Sequence, residues 1–126
     1  MNDLLISRGD IWMVDWNPAR GSEQAGFRPG VIIQCDAGNQ APGARTTILV
    51  PLTTQGRPFS FYVPVPAGPA TGLKAPSWAN CTQVFTVDRN RLRSRLGAAP
   101  AKAMEAISQA LADTLGLPSP LDGWEG

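Results

Sequence analysis

Gly21-Ser22-Glu23-Gln24-Ala25-Gly26-Phe27-Arg28-Pro29-Gly30 runs directly into Val31-Ile32-Ile33-Gln34-Cys35. The first ten residues hold three glycines and one proline, which excludes a helix interior or a regular strand and marks a shaped loop. Four of the five that follow are apolar and three are β-branched, and they predict a buried strand. Arg28 precedes Pro29, so its backbone is pushed toward the extended region where the strand begins. The loop also concentrates a carboxylate (Glu23), an amide (Gln24), a hydroxyl (Ser22) and a guanidinium (Arg28). Polar loops on a rigid scaffold are where sites usually sit, although a solvated hairpin loop has the same composition.

Upstream of the loop, Ile11 to Trp16 predicts a strand with Trp12, Val14 and Trp16 on one face and Ile11, Met13 and Asp15 on the other. Asn17-Pro18 closes it, and Asn2 to Ser7 reads as a leader. The two tryptophans suit core or subunit contact. Downstream, Asp36 to Arg45 is expected to be a connecting loop. Thr46 to Leu52 is the next strand, with Pro51 arguing for an edge or bulge position. Phe59 to Val65 alternates and carries Pro64, again an edge signal. Pro66 to Pro76 is a Pro/Gly-rich loop. Trp78 to Thr86 reads as one long strand. Asp88 is a plausible N-cap for a short turn through Leu92, followed by a strand near Arg93 to Leu96. Arg89, Arg91, Arg93 and Arg95 recur at every second position, as a solvated charged edge or as a nucleic-acid face would.

Pro100 to Leu115 is the one clear helix. Proline suits its first turn, alanines fill it, and Gly116 and Pro118 end it. Met104, Ile107, Leu111 and Leu115 form the apolar stripe expected to face the core. Five or six short strands followed by one helix predict a mainly β, α+β domain: a small, curved antiparallel sheet or barrel crossed by a C-terminal helix. The 126 residues suit a single domain, with a mobile tail expected over 118–126.

Composition narrows the chemistry. With no histidine, serine and cysteine triads and imidazole acid–base pairs are excluded. Cys35 and Cys81 are the only cysteines. They are too few for a convincing metal site, and are expected as two separate buried thiols rather than a disulfide. No apolar run approaches the roughly 20 residues of a membrane span, and no signal peptide pattern opens the chain. The net charge of +1 hides an asymmetry, +4 over residues 1–97 and −3 over residues 98–126. Nine of the eleven basic residues are arginine, which favours a polyanionic partner.

Four runs resemble one family in order and spacing. They are Arg8-Gly9-Asp10-Ile11-Trp12 with Asp15 and Pro18, the loop Gly21 to Pro29, Val50-Pro51-Leu52-Thr53-Thr54-Gln55, and Asn80-Cys81-Thr82-Gln83-Val84 with Thr86-Val87-Asp88. Together they are similar to the MazF/PemK toxin ribonucleases over roughly residues 8 to 116. The resemblance implies an SH3-like barrel built as a homodimer, cytoplasmic, neutralised by a cognate antitoxin and binding DNA as that complex. It implies sequence-specific, metal-independent cleavage of single-stranded RNA with no cofactor, ending in a 2′,3′-cyclic phosphate. By position, Arg28 and Thr53 match the paired catalytic residues, with Thr54 adjacent and the two hydroxyls interchangeable at this stage. Glu23 is either the base or a structural partner of Arg28. Ser22, Gln24, Pro29, Thr54, Gln55 and Gln83 fall among the expected RNA-binding positions, and Phe27 either stacks a base or covers core. Two positions depart from relatives: Phe27 stands where some carry histidine, and Phe85 where some carry Lys or Arg. Two alternatives remain: a non-enzymatic CcdB-like toxin that poisons a protein target such as gyrase, with Trp124 as its tail residue, and an RNA-binding module without chemistry.

Overall fold

The computed structural model describes residues 5–17 and 26–118. The Pro18 turn, the loop residues Ser22, Glu23 and Gln24, the tail from 119 onward and Trp124 lie outside them. Seven strands form one antiparallel sheet: β1 (Asp10–Asp15), β2 (Phe27–Ile32), β3 (Thr46–Thr53), β4 (Tyr62–Val65), β5 (Ser77–Asn80), β6 (Phe85–Asp88) and β7 (Leu92–Ala98). Two helices join them, the one-turn α1 (Asp36–Asn39) and α2 (Ala101–Leu115). The order along the sheet is β4-β5-β3-β2-β1-β7, with β6 also on β3. Among the described residues no ladder joins β4 to β7, the two ends of this path, so it is an open sheet rather than a closed barrel. The loop after β4 reaches across instead: Ala98 N–H donates to Ala70 O at 3.0 Å. Gly72 sits so close to β7 that a Cβ there would lie 2.1 Å from Leu96 O, and its φ of +73° also requires glycine.

Each face of the sheet buries its own cluster. On the first, Ile11, Val31, Val50, Leu52, Val63 and Val65 pack against Ala103, Ile107, Ala110 and Leu111 of α2. On the second, Trp12, Val14, Trp16, Ile32, Leu49, Val87 and Leu92 pack together with Phe85. The alternation read in β1 is therefore real, and both of its faces are core. Helix α2 starts after Pro100 and ends at Gly116 in the left-handed conformation (φ +68°), with Leu117 N–H donating to Ala112 O at 2.8 Å. Its buried stripe is Ala103, Ile107, Ala110, Leu111 and Ala112, whereas Leu115 is exposed.

Several expectations need correction. The second strand begins at Phe27 and stops at Ile32. Cys35 is exposed at the N-cap of α1, so only Cys81 is buried; both thiols are free. The stretch 36–45 contains α1 because Asn39 is buried and held from outside: Gln34 Nε2 and Thr47 Oγ1 donate to its Oδ1 at 3.0 and 2.7 Å. Strand β3 is central, not an edge. It pairs with β6 through Leu49 and with β5 from Leu52 on. Ile33 N–H donates to Ile48 O, so by alternation Pro51 turns its missing donor to the opposite side, into the gap between those two partners. Pro64 does lie on an edge strand. Phe59 is exposed and precedes β4, which is only four residues long. The long strand expected over 78–86 is broken. Asn80 Oδ1 accepts from Thr82 N–H (3.1 Å) and Thr82 Oγ1 (2.6 Å), and this side-chain turn separates β5 from β6.

Candidate active site

Arg28 lies on β2 opposite Val14 of β1. It is exposed, and its side chain is on the same face as Ile32 and the aromatic cluster. Thr53 ends β3, on the same face as Leu49. The β2–β3 ladder pairs Ile32 with Leu49, Val31 with Val50 and Gly30 with Pro51, where it ends. The same register carried two residues further sets Thr53 opposite Arg28. Two residues read from separate motifs thus lie on one face of neighbouring strands. The Thr53 hydroxyl accepts from Gln55 N–H at 3.1 Å, which holds its oxygen and leaves its proton for an acceptor outside.

Pro29 and Thr54, next in sequence to this pair, point to the opposite face by alternation. They line a separate pocket of about 270 Å³ with Met13, Leu73, Lys74 and Leu96. That separation distinguishes the two threonines: Thr53 shares a face with Arg28, and Thr54 does not. Gln55 is exposed at the same rim as Thr53. Gln83 follows the turn at Asn80, and its Oε1 is buried with no hydrogen-bond partner among the described residues. Phe27 is 59% exposed, so it does not cover core; the Arg93 guanidinium stands 5.9 Å from its ring centroid. Phe85 packs edge-on to Trp16 at 5.1 Å between ring centroids. Phe85 thus joins the aromatic cluster of the second face.

The arginine run divides its work. Arg89 and Arg91 occupy a 3₁₀ turn capped by Asp88, whose carboxylate accepts from Asn90 N–H at 3.1 Å; Arg93 and Arg95 lie on β7. The turn and the strand after it were legible, but a purely solvated edge was not the outcome. Arg89 Nη1 donates to Asn39 O at 2.6 Å, Arg93 pairs with Asp15 at 3.0 Å and Arg95 pairs with Asp10 at 3.2 Å. The Asn17 backbone N–H, followed by Arg93, holds the Asp15 carboxyl below the usual carboxylate range. Burial alone pushes the Cys81 thiol up to about 12, which makes it inert at neutral pH.

Sequence reasoning missed Trp16 and Asn17. Trp16 Nε1 donates to Arg28 O at 3.1 Å, and Asn17 Oδ1 accepts from Gly26 N–H at 3.0 Å. The sole signal was an Asn at a strand end, which was read as part of a turn. The opening run Arg8-Gly9-Asp10 proves architectural. Arg8 donates to Ile33 O and to Ser108 Oγ on α2, and Asp10 accepts from Ser7 N–H at 3.0 Å.

An open β-domain with one long helix, carrying a guanidinium and a hydroxyl on one face of neighbouring strands, offers groups that suit a phosphate. The family model for the PemK-like, MazF-like toxin of type II toxin–antitoxin systems matches residues 7–115, and the chain belongs to that family. It is 34% identical over 116 residues to Endoribonuclease MazF of Staphylococcus saprophyticus, covering 90% of this chain and 93% of that protein. Endoribonuclease EndoA of Bacillus subtilis is 28% identical over 114 residues, covering 90% and 97%. Among solved structures, MazF of Deinococcus radiodurans superposes with a TM-score of 0.76 at 25% identity, over 91% of this chain and all of that one. A mycobacterial endoribonuclease in complex with its cognate antitoxin gives 0.74 at 28% identity, over 92% and 100%.

Proposed function

We propose that this chain is the toxin of a toxin–antitoxin pair, an endoribonuclease that cleaves single-stranded RNA at short sequence sites without a metal ion or cofactor. What supports the reading is that Arg28 and Thr53 lie on one face of neighbouring strands, whose register carried past its last pair would set them opposite, in a chain whose relatives are named endoribonucleases. In the reaction, the 2′-hydroxyl loses its proton and O2′ attacks phosphorus. The bond to O5′ breaks, O5′ takes a proton, and a 2′,3′-cyclic phosphate remains. The phosphorane gains negative charge, and a fixed guanidinium holds two non-bridging oxygens as that charge grows. Arg28 takes this role, and Thr53 donates a hydrogen bond to the same phosphate. Arg28 is a poor base, since its pKa lies above about 12. Glu23 is the base or orients it, with Ser22 and Gln24 beside it in the signature loop. Gln55 borders the path of the strand beside Thr53, whereas Pro29 and Thr54 line the pocket on the opposite face, where RNA beyond the cleaved bond would reach them. Phe27 is exposed and available to stack a base, and the half-buried Gln83 carries an amide that suits a base edge once its side chain turns outward. Thr54 serves as a binding residue rather than the catalytic hydroxyl, because it faces away from Arg28.

The acting unit is a cytoplasmic homodimer, silenced by a cognate antitoxin with which it binds DNA. Among the described residues no helix is long and apolar enough to cross a membrane. The reading as a poison of a protein target rests on Trp124, outside the described residues, and no observation favours it. The test is incubation of a long single-stranded RNA with the purified chain in excess EDTA. Discrete fragments ending in 2′,3′-cyclic phosphate are expected. Intact RNA at micromolar concentrations of folded, antitoxin-free protein overturns the assignment.

A further inference from the structure

The β1–β2 ladder ends at Asp15–Phe27, and the β1–β7 ladder ends at Val14–Leu92. Beyond those pairs the chain of β1 continues to Asn17 with side chains standing in for backbone on both flanks. On the β7 side, Arg91 Nη1 donates to Asp15 O at 3.1 Å and to Asn17 O. On the β2 side, Asn17 Oδ1 accepts from Gly26 N–H at 3.0 Å, while Trp16 N–H donates to Gly26 O at 2.9 Å. The Asp15 carboxylate ties this end to itself and to β7, accepting from Asn17 N–H and from Arg93 Nη2, both at 3.0 Å. Trp16, fixed between these bonds, donates its indole N–H to Arg28 O at 3.1 Å.

We propose that Arg91 is a positioning residue for Arg28. Its guanidinium fixes Asp15 to Asn17, those residues fix Gly26 and the Trp16 indole, and these set the backbone from which the Arg28 side chain extends. The chemistry fits that task. Asp15 already has Arg93 as its ion-pair partner, and Arg91 spends its donors on two neutral carbonyls two residues apart. One planar nitrogen with two hydrogens spans such a pair in a single orientation. Arg91 is itself held by its turn, through the Asp88 cap and through Arg89 on Asn39 O. A misplacement of about 1 Å at a reacting group lowers turnover about a hundredfold, so loosening this network reads out at Arg28.

This proposal rests on Arg28 as the phosphate-holding residue, and the experiment separates the two. Amide exchange at Gly26 and Trp16 is followed by NMR in the wild type, Arg91→Ala and Arg91→Lys, with Tm measured alongside and single-turnover RNA cleavage on the same samples. In Arg91→Ala, exchange at both amides rises about tenfold while core amides stay protected. The cleavage rate constant falls about tenfold, with RNA affinity within about twofold. Arg91→Lys restores part of both. Unchanged exchange in Arg91→Ala overturns the proposal. So does lost protection with an unchanged rate constant, or a loss confined to RNA affinity, which would make Arg91 an RNA contact. Should Arg91→Ala fail to fold, Asn17→Ala opens the other flank and must show the same pattern. A wild type that does not cleave RNA defeats the ribonuclease reading and the role assigned to Arg91 in it, whereas the exchange arm alone decides whether Arg91 holds Gly26.

Discussion

The two faces of the sheet are both buried, yet they are built differently. The face under α2 is aliphatic: valines and isoleucines meet the small residues and Ile107 of an alanine-rich helix. The other face meets only the one-turn α1, held there by Asn39 on Thr47, among the described residues, and is filled by Trp12, Trp16 and Phe85 together with aliphatic residues. Its two tryptophans bring polar handles: Trp12 Nε1 reaches Asp10 at 3.3 Å, and Trp16 Nε1 reaches Arg28 O at 3.1 Å. Buried indoles seek such partners because an unpaired N–H is costly. The aliphatic face therefore contributes stability with little directional information. The aromatic face contributes stability and also fixes the orientation of the rim where Arg28 and Thr53 stand.

This contrast can be broken at either side. Ile107→Ala on the helix face, where the side chain is fully buried, is expected to cost about 2–5 kcal/mol and to lower Tm by many degrees. Below its own Tm it should cleave RNA at the wild-type rate; chemical denaturation and a cleavage assay at low temperature check both halves. Trp16→Phe should lose about 1 kcal/mol for the hydrogen bond, together with a packing loss, and should slow cleavage out of proportion to that cost. If instead Ile107→Ala and Trp16→Phe slow cleavage alike at equal fraction folded, the division between faces fails.

A smaller effect sharpens the comparison at the edge of the aromatic face. The Asp15 carboxyl titrates below its ordinary value, chiefly through the Asn17 N–H and then Arg93, with the Arg91 guanidinium on its own carbonyl nearby. A lowered folded pKa means that the stabilisation is complete above the unfolded value of about 4 and is lost as pH falls through the folded one. The difference in Tm between wild type and Asp15→Asn should therefore be constant from pH 5 to 7 and shrink below about pH 4, as thermal melts across pH would record. The smallest effect concerns the thiols. In the native protein one cysteine, the exposed Cys35, should react with a thiol reagent at pH 8, and Cys81 only after unfolding. Two fast thiols would show that the turn at Asn80 opens readily.

Much of this was legible because local signals agreed with tertiary structure. Alternation in β1, Asp88 as a cap, and Pro100 and Gly116 bounding α2 each depend on a few neighbouring residues. The misread elements depend on distant ones. Trp78 to Thr86 has a continuous strand pattern, and only the Asn80 carboxamide turning back on Thr82 divides it. Helix α1 has no local signal and exists because Asn39 is gripped from Gln34, Thr47 and Arg89. Pro51 is a sound warning of a missing ladder bond, but the gap came from a change of partner in mid-strand. Arg28 and Thr53 were visible as members of motifs, and their place on one face of neighbouring strands depends on a register that no spacing reveals. The Arg91 bond to Asp15 O spans 76 residues and leaves no trace in either stretch of sequence.

In the proposed reaction Arg28 holds the phosphate while charge builds at it. Single-turnover cleavage of an RNA substrate in EDTA by wild type and by Arg28→Ala, with Tm and RNA affinity measured on the same preparations, tests it most directly. The rate constant is expected to be lower by about a hundredfold to a thousandfold in Arg28→Ala, with Tm nearly unchanged because the side chain is exposed. A variant that cleaves within about threefold of wild type at saturating enzyme would contradict it and move the chemistry away from this rim.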